Sequence, residues 1–394
     1  APLEVRMKIN LSQAPIVDAH SHGFQADKLV AEPPEGFLDR ITVMGMCFGS
    51  ATGVNPALAD AVSAMTDHTL MAMLTRRRLA EYLDCSPEAL LPTRHTTLKA
   101  DPQAYISGLM ADANLSALFV DDGFPLPKVD QLVMQDLTGI TIHRVARIEP
   151  MIEAARQQTR SAADLEAAFQ AELESAAQEP RCVAFKSIIA YRTGLDVGDP
   201  SRDEVEASYK RWQAAGWREG RDTSKALRDH LLNVTFEIAK KYERPVHIHS
   251  GAGDTDVVLT HARPSNLGPL LTRFADHPTV LIHSGFPWLG EATYLASLYP
   301  LAYLELSLYF PWGMLDMDRV LTQVIGAVPT NKILYGSDEA SEPEILWISA
   351  KEGRAALERV LGSAVERDFM TTQEAEVIGH NILARNVLRV HGLA

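Results

Sequence analysis

The sequence predicts a (β/α)8 barrel of the α/β class. Three observations carry this reading: eight short apolar runs bounded by turn residues, amphipathic helical stretches between most of them, and metal-ligand residue types where runs one, five, six and eight end. The runs lie at about 16–22, 116–121, 140–148, 182–189, 245–249, 279–283, 302–308 and 332–336. Strands that alternate with helices build a parallel sheet. An open doubly wound sheet would scatter strands one and eight, whereas a closed barrel gathers all strand C-termini on one rim. No Gly-x-Gly-x-x-Gly turn follows the first strand, which weakens the dinucleotide-fold alternative.

In chain order, the first run is Ile16-Val17-Asp18-Ala19-His20-Ser21-His22. Alternate strand residues face the same way, so His20 and His22 can reach one ion. The stretch 23–116 is too long for a single strand-to-helix connection and shows helical patterns at 57–70 and 73–84. It predicts a helical insertion over 25–115 that caps the rim of a single domain spanning 1–394. Cys47, between Gly45 and Gly49, sits in a loop that could fold over the site, but no paired base marks it for thiol catalysis. After the second run, Asp121 and Asp122 either hold a substrate amine or cap the next helix.

Arg147 and Glu149 close the third run as substrate contacts or as an ion pair with each other. Lys186 falls near the end of the fourth, where an amine could react with carbon dioxide to form a carbamate bridging two ions; an ordinary amine paired with a carboxylate is the alternative. Tyr191 and Arg192 follow as candidates to bind a substrate carboxylate. The segment 196–223, with Trp212 and Trp217, reads as a second lid or an oligomer contact, and 162–177 and 224–242 as helices. His247 reads as a hydrogen-bonded core histidine, and His249 as a ligand from strand five. His283 ends strand six as a second-ion ligand or a general acid or base. Trp288 could line the pocket, as could Tyr309, Phe310 and Trp312 beyond strand seven. Asp338 ends strand eight, and helices over 371–390 are expected on the barrel exterior.

Composition narrows the partners. Thirty-seven basic against fifty-one acidic side chains give a formal net charge of −14, which disfavours nucleic acid and anionic membranes. No apolar run of about 18 residues suggests a membrane span, and the first residues lack the basic lead and apolar block of a signal peptide. Three widely spaced cysteines suggest neither a disulfide framework nor a thiolate zinc site, so a reducing cytoplasm is the expected setting. A homo-oligomer is compatible with a chain of this size.

Imidazole and carboxylate suit a divalent transition ion, zinc first, with manganese, iron or nickel as alternatives. His20, His22, His249 and Asp338 leave an open position in which water becomes a nucleophile near neutral pH. Asp338 can also accept a proton from that water and hand it to a leaving group.

These four strand ends resemble the amidohydrolase superfamily, and Phe185-Lys186-Ser187-Ile188-Ile189-Ala190-Tyr191-Arg192-Thr193-Gly194-Leu195 resembles its FluG-like, amidohydrolase-related branch. The order of motifs matches over roughly 15–390. The resemblance implies a barrel with His-x-His on strand one, histidines on strands five and six and an aspartate on strand eight. It also implies metal-activated water attacking an amide, ester or similar electrophile. Carboxylated-lysine members bridge two metals from the position of Lys186, so the set His20, His22, Lys186, His249, His283 and Asp338 favours two ions. The expected activity is hydrolysis of a C–N bond in a small acidic or amino-acid-like compound. The alternatives are a mononuclear decarboxylase or hydratase that uses His283 at carbon, and a non-catalytic signalling module.

Overall fold

The computed structural model describes residues 9–48 and 56–394. Eight parallel strands pair in sequence order: β1 (Ile16–Ser21), β2 (Leu115–Asp121), β3 (Thr141–Arg147), β4 (Cys182–Ser187), β5 (Val246–His249), β6 (Thr279–Ile282), β7 (Ala302–Glu305) and β8 (Ile333–Leu334). The two ends of this series meet through Ala19 N donating to Tyr335 O and Asp338 N donating to His20 O, both at 2.9 Å. The result is the expected (β/α)8 barrel. β8 is shorter than its apolar run because the backbone leaves the ladder there. Tyr335 N turns to Ile382 O at 3.2 Å, and Gly336 passes so close to strand seven that a Cβ would lie 2.0 Å from Glu305 Oε1.

Several helices start where a side chain satisfies free amides at the first turn. Ser161 accepts from Asp164 N, and Ser201 with Glu204 and Thr371 with Glu374 form capping boxes. One large apolar cluster packs the helices onto the strands. A second draws Val17, Phe119, Val145, Val183, Ile282 and Leu334 from strands all round the ring. Only a closed barrel brings those strands into one interior.

Three sequence expectations are corrected here. Within 25–115 the helices are more numerous than the two patterns suggest, and among the described residues of that span only the stretch from Arg40 to Cys47 reaches the cavity at the rim. The helix Pro102–Asp112 instead packs against the outer helices Gln131–Thr138 and Pro343–Glu366, as a crossover helix does. The segment 196–223 is no lid: its helix Arg202–Ala214 packs on Lys225–Lys241 and Ala162–Gln178, with Trp212 fully buried. The C-terminal residues do not all lie outside. Beyond Thr372–His380, Ala384 and Val387 join the interior cluster. His391 follows them in, its ring 4.6 Å from that of Phe119 and its Nε2 2.8 Å from His247 Nε2. These residues are small, apolar or uncharged when neutral, so the barrel interior accepts them. Gly49 falls outside the described residues, and among those described no helix is long and apolar enough to cross a membrane.

A buried ionic network anchors the helical stretch after β1 to the start of the helix Pro343–Glu366 that follows strand eight. Arg94, on Leu90–Ala100, donates to Glu344 Oε1 and Glu342 Oε2, each at 2.5 Å. Arg40 donates to Glu342 Oε1 at 2.5 Å, and Tyr105 to Glu344 Oε1 at 2.6 Å. Removing one partner strands the opposite charges in a low-dielectric interior. Arg94→Met is therefore expected to lower unfolding free energy by about 3–5 kcal/mol, read from urea denaturation.

The His247–His391 pair adds a pH dependence. Burial lowers His391 from 6.5 to about 4, so between these values the unfolded chain binds a proton that the folded chain refuses. Stability from this group is complete above pH 6.5 and drains as pH falls toward 4, by about 3 kcal/mol at roughly 1.4 kcal/mol per unit. His391→Gln, which cannot titrate, should lose correspondingly less stability over that interval in the same urea assay.

Candidate active site

β1 is fully buried and irregular in register between Asp18 and Ser21, and it delivers both its histidines to the C-terminal rim. His20 Nε2 lies 3.1 Å, and His22 Nε2 3.4 Å, from Asp338 Oδ1. One donor atom from each of these three residues falls within 4.8 Å of the others. The aspartate arrives across the seam between β8 and β1. Its backbone has φ +56°, an uncommon conformation for a non-glycine residue, and the hydrogen bond from its amide to His20 O holds it there.

His249 and His283 complete the group from strands five and six, with His249 Nδ1 3.1 Å from His283 Nε2. The His20 and His283 rings lie 5.4 Å apart. Burial lowers His20 to about 4 and holds His249 and His283 well below the usual imidazole range. All three are neutral near pH 7, with lone pairs free to donate. Burial would raise Asp338, but the imidazoles of His283, His20 and His22 outweigh it and keep the carboxyl well below the usual carboxylate range. Neutral nitrogens around one anionic oxygen form a donor set suited to a divalent transition ion.

Lys186 Nζ lies 3.2 Å from His20 Nε2 and 3.6 Å from Asp121 Oδ2. Burial lowers its ammonium, with Asp121 opposing. Asp121 is held far down by Arg147 and Lys186 against its own burial.

The imidazoles open into a cavity of about 550 Å³ that Arg147, Tyr191 and Arg192 also line. Arg147 is not free for a ligand's carboxylate: its guanidinium grips Asp121 in two-pronged fashion, Nε to Oδ1 at 2.9 Å and Nη2 to Oδ2 at 2.5 Å. Nor does Arg147 pair with Glu149, which accepts from Ser187 Oγ and Ile188 N, both at 2.8 Å. Asp121 and Asp122 cap no helix; Asp130 caps the next one, while Asp122 pairs with Lys128 and Arg144. Tyr191 stands over His249 with ring centroids 4.6 Å apart, and its hydroxyl accepts from Asp254 N at 3.1 Å. A Cβ at Gly253 would collide with that hydroxyl at 1.6 Å.

Trp288 does not line the cavity. It lies outside the pocket wall beneath Arg263, whose guanidinium is 5.5 Å from the ring. Phe286 takes the expected aromatic place, joined by Trp312 and by Phe124, whose ring is 5.8 Å from that of His22. Tyr309 and Phe310 are buried behind the wall. Cys47 lines the cavity with its Sγ 3.9 Å from Asp254 Oδ1.

Several site residues escaped the sequence reading. Glu305 ends β7 fully buried and accepts from His283 N at 3.0 Å and Ser307 Oγ at 2.6 Å. A carboxylate at the end of an apolar run is the same signal that marks Asp338, so it could have been found. Asp18, a carboxylate inside the first run, accepts from His20 N and Ser337 N at 3.0 and 3.2 Å. Asp254, Asp256 and Phe124 sit in loops, and no pattern marks them.

A model of the amidohydrolase family matches residues 162–376. Protein fluG of Emericella nidulans is 27% identical over 407 residues, covering 96% of this chain and 46% of that protein. The chain thus spans about half the length of this curated relative. A candidate metal-dependent hydrolase from Lactobacillus casei has a TM-score of 0.84 at 23% identity, with 98% of each chain covered. A uronate isomerase from Bacillus halodurans has a TM-score of 0.66 at 13% identity, covering 98% of this chain and 94% of its own. At these identities the two structures speak for the fold alone.

The donor set makes divalent-ion binding measurable as stability. An ion that binds only the folded chain, at a hundredfold excess over its Kd, should raise unfolding free energy by about 2.7 kcal/mol. Zinc or manganese added to chelator-treated protein should give that gain in thermal unfolding, and Asp338→Ala should abolish it.

Proposed function

The chain belongs to the amidohydrolase family, and from that premise we propose that it is a divalent-metal-dependent hydrolase cleaving the C–N bond of a small, carboxylate-bearing, amino-acid-like amide. The observation that carries this reading is the meeting of His20, His22 and Asp338 donors within 4.8 Å at a cavity sized for a small molecule. A divalent ion held by these residues, zinc or manganese foremost, supplies Lewis acidity that polarises a carbonyl and makes water nucleophilic near neutral pH.

The remaining steps belong to the chain. Asp338, kept ionised by its imidazole neighbours, takes the proton from the attacking water and delivers it to the departing nitrogen. Arg147 and Lys186 already share Asp121, and Arg40 is bound to Glu342. Among the described residues, Arg192 is thus the cavity cation left for a substrate carboxylate, and Asp254 and Asp256 suit an ammonium group. Phe124, Phe286 and Trp312 surround the amide with apolar walls that thin out competing water.

A second reading is favoured by Lys186 Nζ lying within ion-pair distance of Asp121. If this lysine remains an amine, the site holds one ion and His283 works as an acid or base at carbon, as a decarboxylase, hydratase or isomerase requires. Metal analysis separates the two: two ions per chain accompany a carbamate on Lys186, and one accompanies a free amine.

Assay of N-acyl amino acids and dipeptides, before and after chelation and zinc or manganese re-addition, tests the hydrolase. Turnover should vanish on chelation and return with the ion; full turnover by metal-free protein ends the proposal. With a substrate in hand, Arg192→Met should raise KM by about 10- to 100-fold with kcat little changed, the loss of a charged hydrogen bond.

A further inference from the structure

The loops that line the cavity differ in chemistry, and barrel order sorts them. Because the strands pair from β1 to β8 and close at the seam, the loops after β6, β7, β8, β1 and β2 form one continuous arc of the rim. Phe286 reaches the cavity after β6, Leu308 and Trp312 after β7, Met46 in the stretch after β1, and Phe124 after β2. The polar residues of this arc are already engaged or turned inward: Arg40 is bonded to Glu342, Cys47 lies against Asp254, and Ser341 Oγ is buried. The opposite arc carries charge instead, with Arg192 after β4 and Asp254 and Asp256 after β5.

The apolar side chains are fixed in place. Trp312 Nε1 donates to Ile41 O at 2.9 Å, so the one polar atom of the indole is spent and the ring has only apolar surface left for the cavity. Gly313 N donates to Tyr309 O at 2.9 Å and closes the turn that carries this tryptophan; a Cβ at Gly313 would lie 2.4 Å from the same oxygen. Leu308 is held at φ +68°, a conformation that is rare for a bulky residue and persists only where its surroundings impose it. The Phe286 ring meets that of Tyr309 edge to face at 5.0 Å. Phe124 is half exposed, with its ring 5.8 Å from that of His22. The apolar arc thus begins beside the candidate ligands.

Exposed apolar surface gathered on one side of a cavity marks where an apolar group of a ligand leaves water. The volume of about 550 Å³ lies in the range that holds ligands larger than a single amino acid. Charge on one arc and apolar rings on the other therefore describe a ligand with the same division.

We infer that the substrate is an amide with two unlike halves. Its carboxylate-bearing half lies over the loops of β4 and β5, and across the scissile bond it carries an apolar group of aromatic size seated against Phe124, Phe286, Leu308 and Trp312. These four residues determine specificity. The apolar group is the acyl portion or the amine portion of the amide, since both present the same surface to this arc. The inference deepens the hydrolase reading and rests on it for the amide, whereas the apolar seat rests on the cavity wall alone.

The experiment is isothermal titration calorimetry of the full chain in the presence of zinc, with uncleavable ketone isosteres in which a methylene replaces the amide nitrogen. One pair mimics N-phenylacetylglycine and N-acetylglycine and tests an apolar acyl group. The other mimics the side-chain benzylamide and methylamide of glutamate and tests an apolar amine. In one of the pairs the aromatic member should bind about 10- to 100-fold more tightly, as burial of a phenyl group gives, and that pair identifies the apolar half. Phe286→Ala and Trp312→Ala should each cut this ratio by about tenfold, while Arg192→Met should weaken both members alike and leave the ratio standing. If Trp312→Ala fails to fold because the bond to Ile41 is lost, Phe124→Ala takes its place. A ratio near one in both pairs overturns the inference, as does a ratio unchanged in folded Phe286→Ala and Phe124→Ala proteins, or no binding of any of the compounds. A ratio that collapses as expected in a protein that hydrolyses neither parent amide leaves the apolar seat standing while the hydrolase reading falls.

Discussion

The seam at which β8 meets β1 is the constraint on which the rest of the structure depends. Two backbone hydrogen bonds cross it, Ala19 N to Tyr335 O and Asp338 N to His20 O, and the second joins two of the candidate ligand residues directly, amide of one to carbonyl of the other. Asp18 reinforces the seam by accepting both His20 N and Ser337 N. Burial raises its carboxyl to about 7 against those hydrogen bonds. Closure of the barrel and assembly of the candidate site are consequently one event: a slip at this seam would separate His20 from Asp338 and open the ring together.

Around that seam the structure manages buried charge by sharing it. Asp121 serves both Arg147 and Lys186, Glu342 serves Arg40 and Arg94, and Glu305, which burial raises to about 8, is surrounded by donors from His283 and Ser307. Unpaired charge in such an interior is costly. Arg192 faces the cavity, which is where a ligand can supply a partner. The ionic network of Arg94 also fastens the rim helices to the residues just beyond Asp338, so the wall of the cavity and its floor are held by the same side chains.

Much of this was legible in residue order. The apolar runs located all eight strands, and histidine or aspartate at four strand ends marked His20, His22, His249, His283 and Asp338 as candidates that the fold then gathers. Loops gave less. Trp288 lies only three residues beyond Gly285, yet the turn through His283 and Ser284 sends it behind the pocket wall and brings Phe286 forward. Arg147 looked like a substrate contact because its partner, Asp121, lies on the neighbouring strand, twenty-six positions away. Residue order places the helices over 371–390 on the outside, yet Ala384 and Val387 join the interior cluster, and just beyond them His391 finds its partner, His247, 144 positions earlier in the chain.

By itself, then, the sequence determined the barrel, the order of its strands and the chemical types offered at their ends, because periodicity and turn residues act over a few neighbouring positions. Only the tertiary structure decided which charges are already paired, which aromatics reach the cavity and which partners orient each histidine ring. Those outcomes depend on partners distant in the chain, such as Asp121 for Arg147 and Ser307 for His283. Burial then sets the strength of each pairing, and burial exists only once the ring has closed.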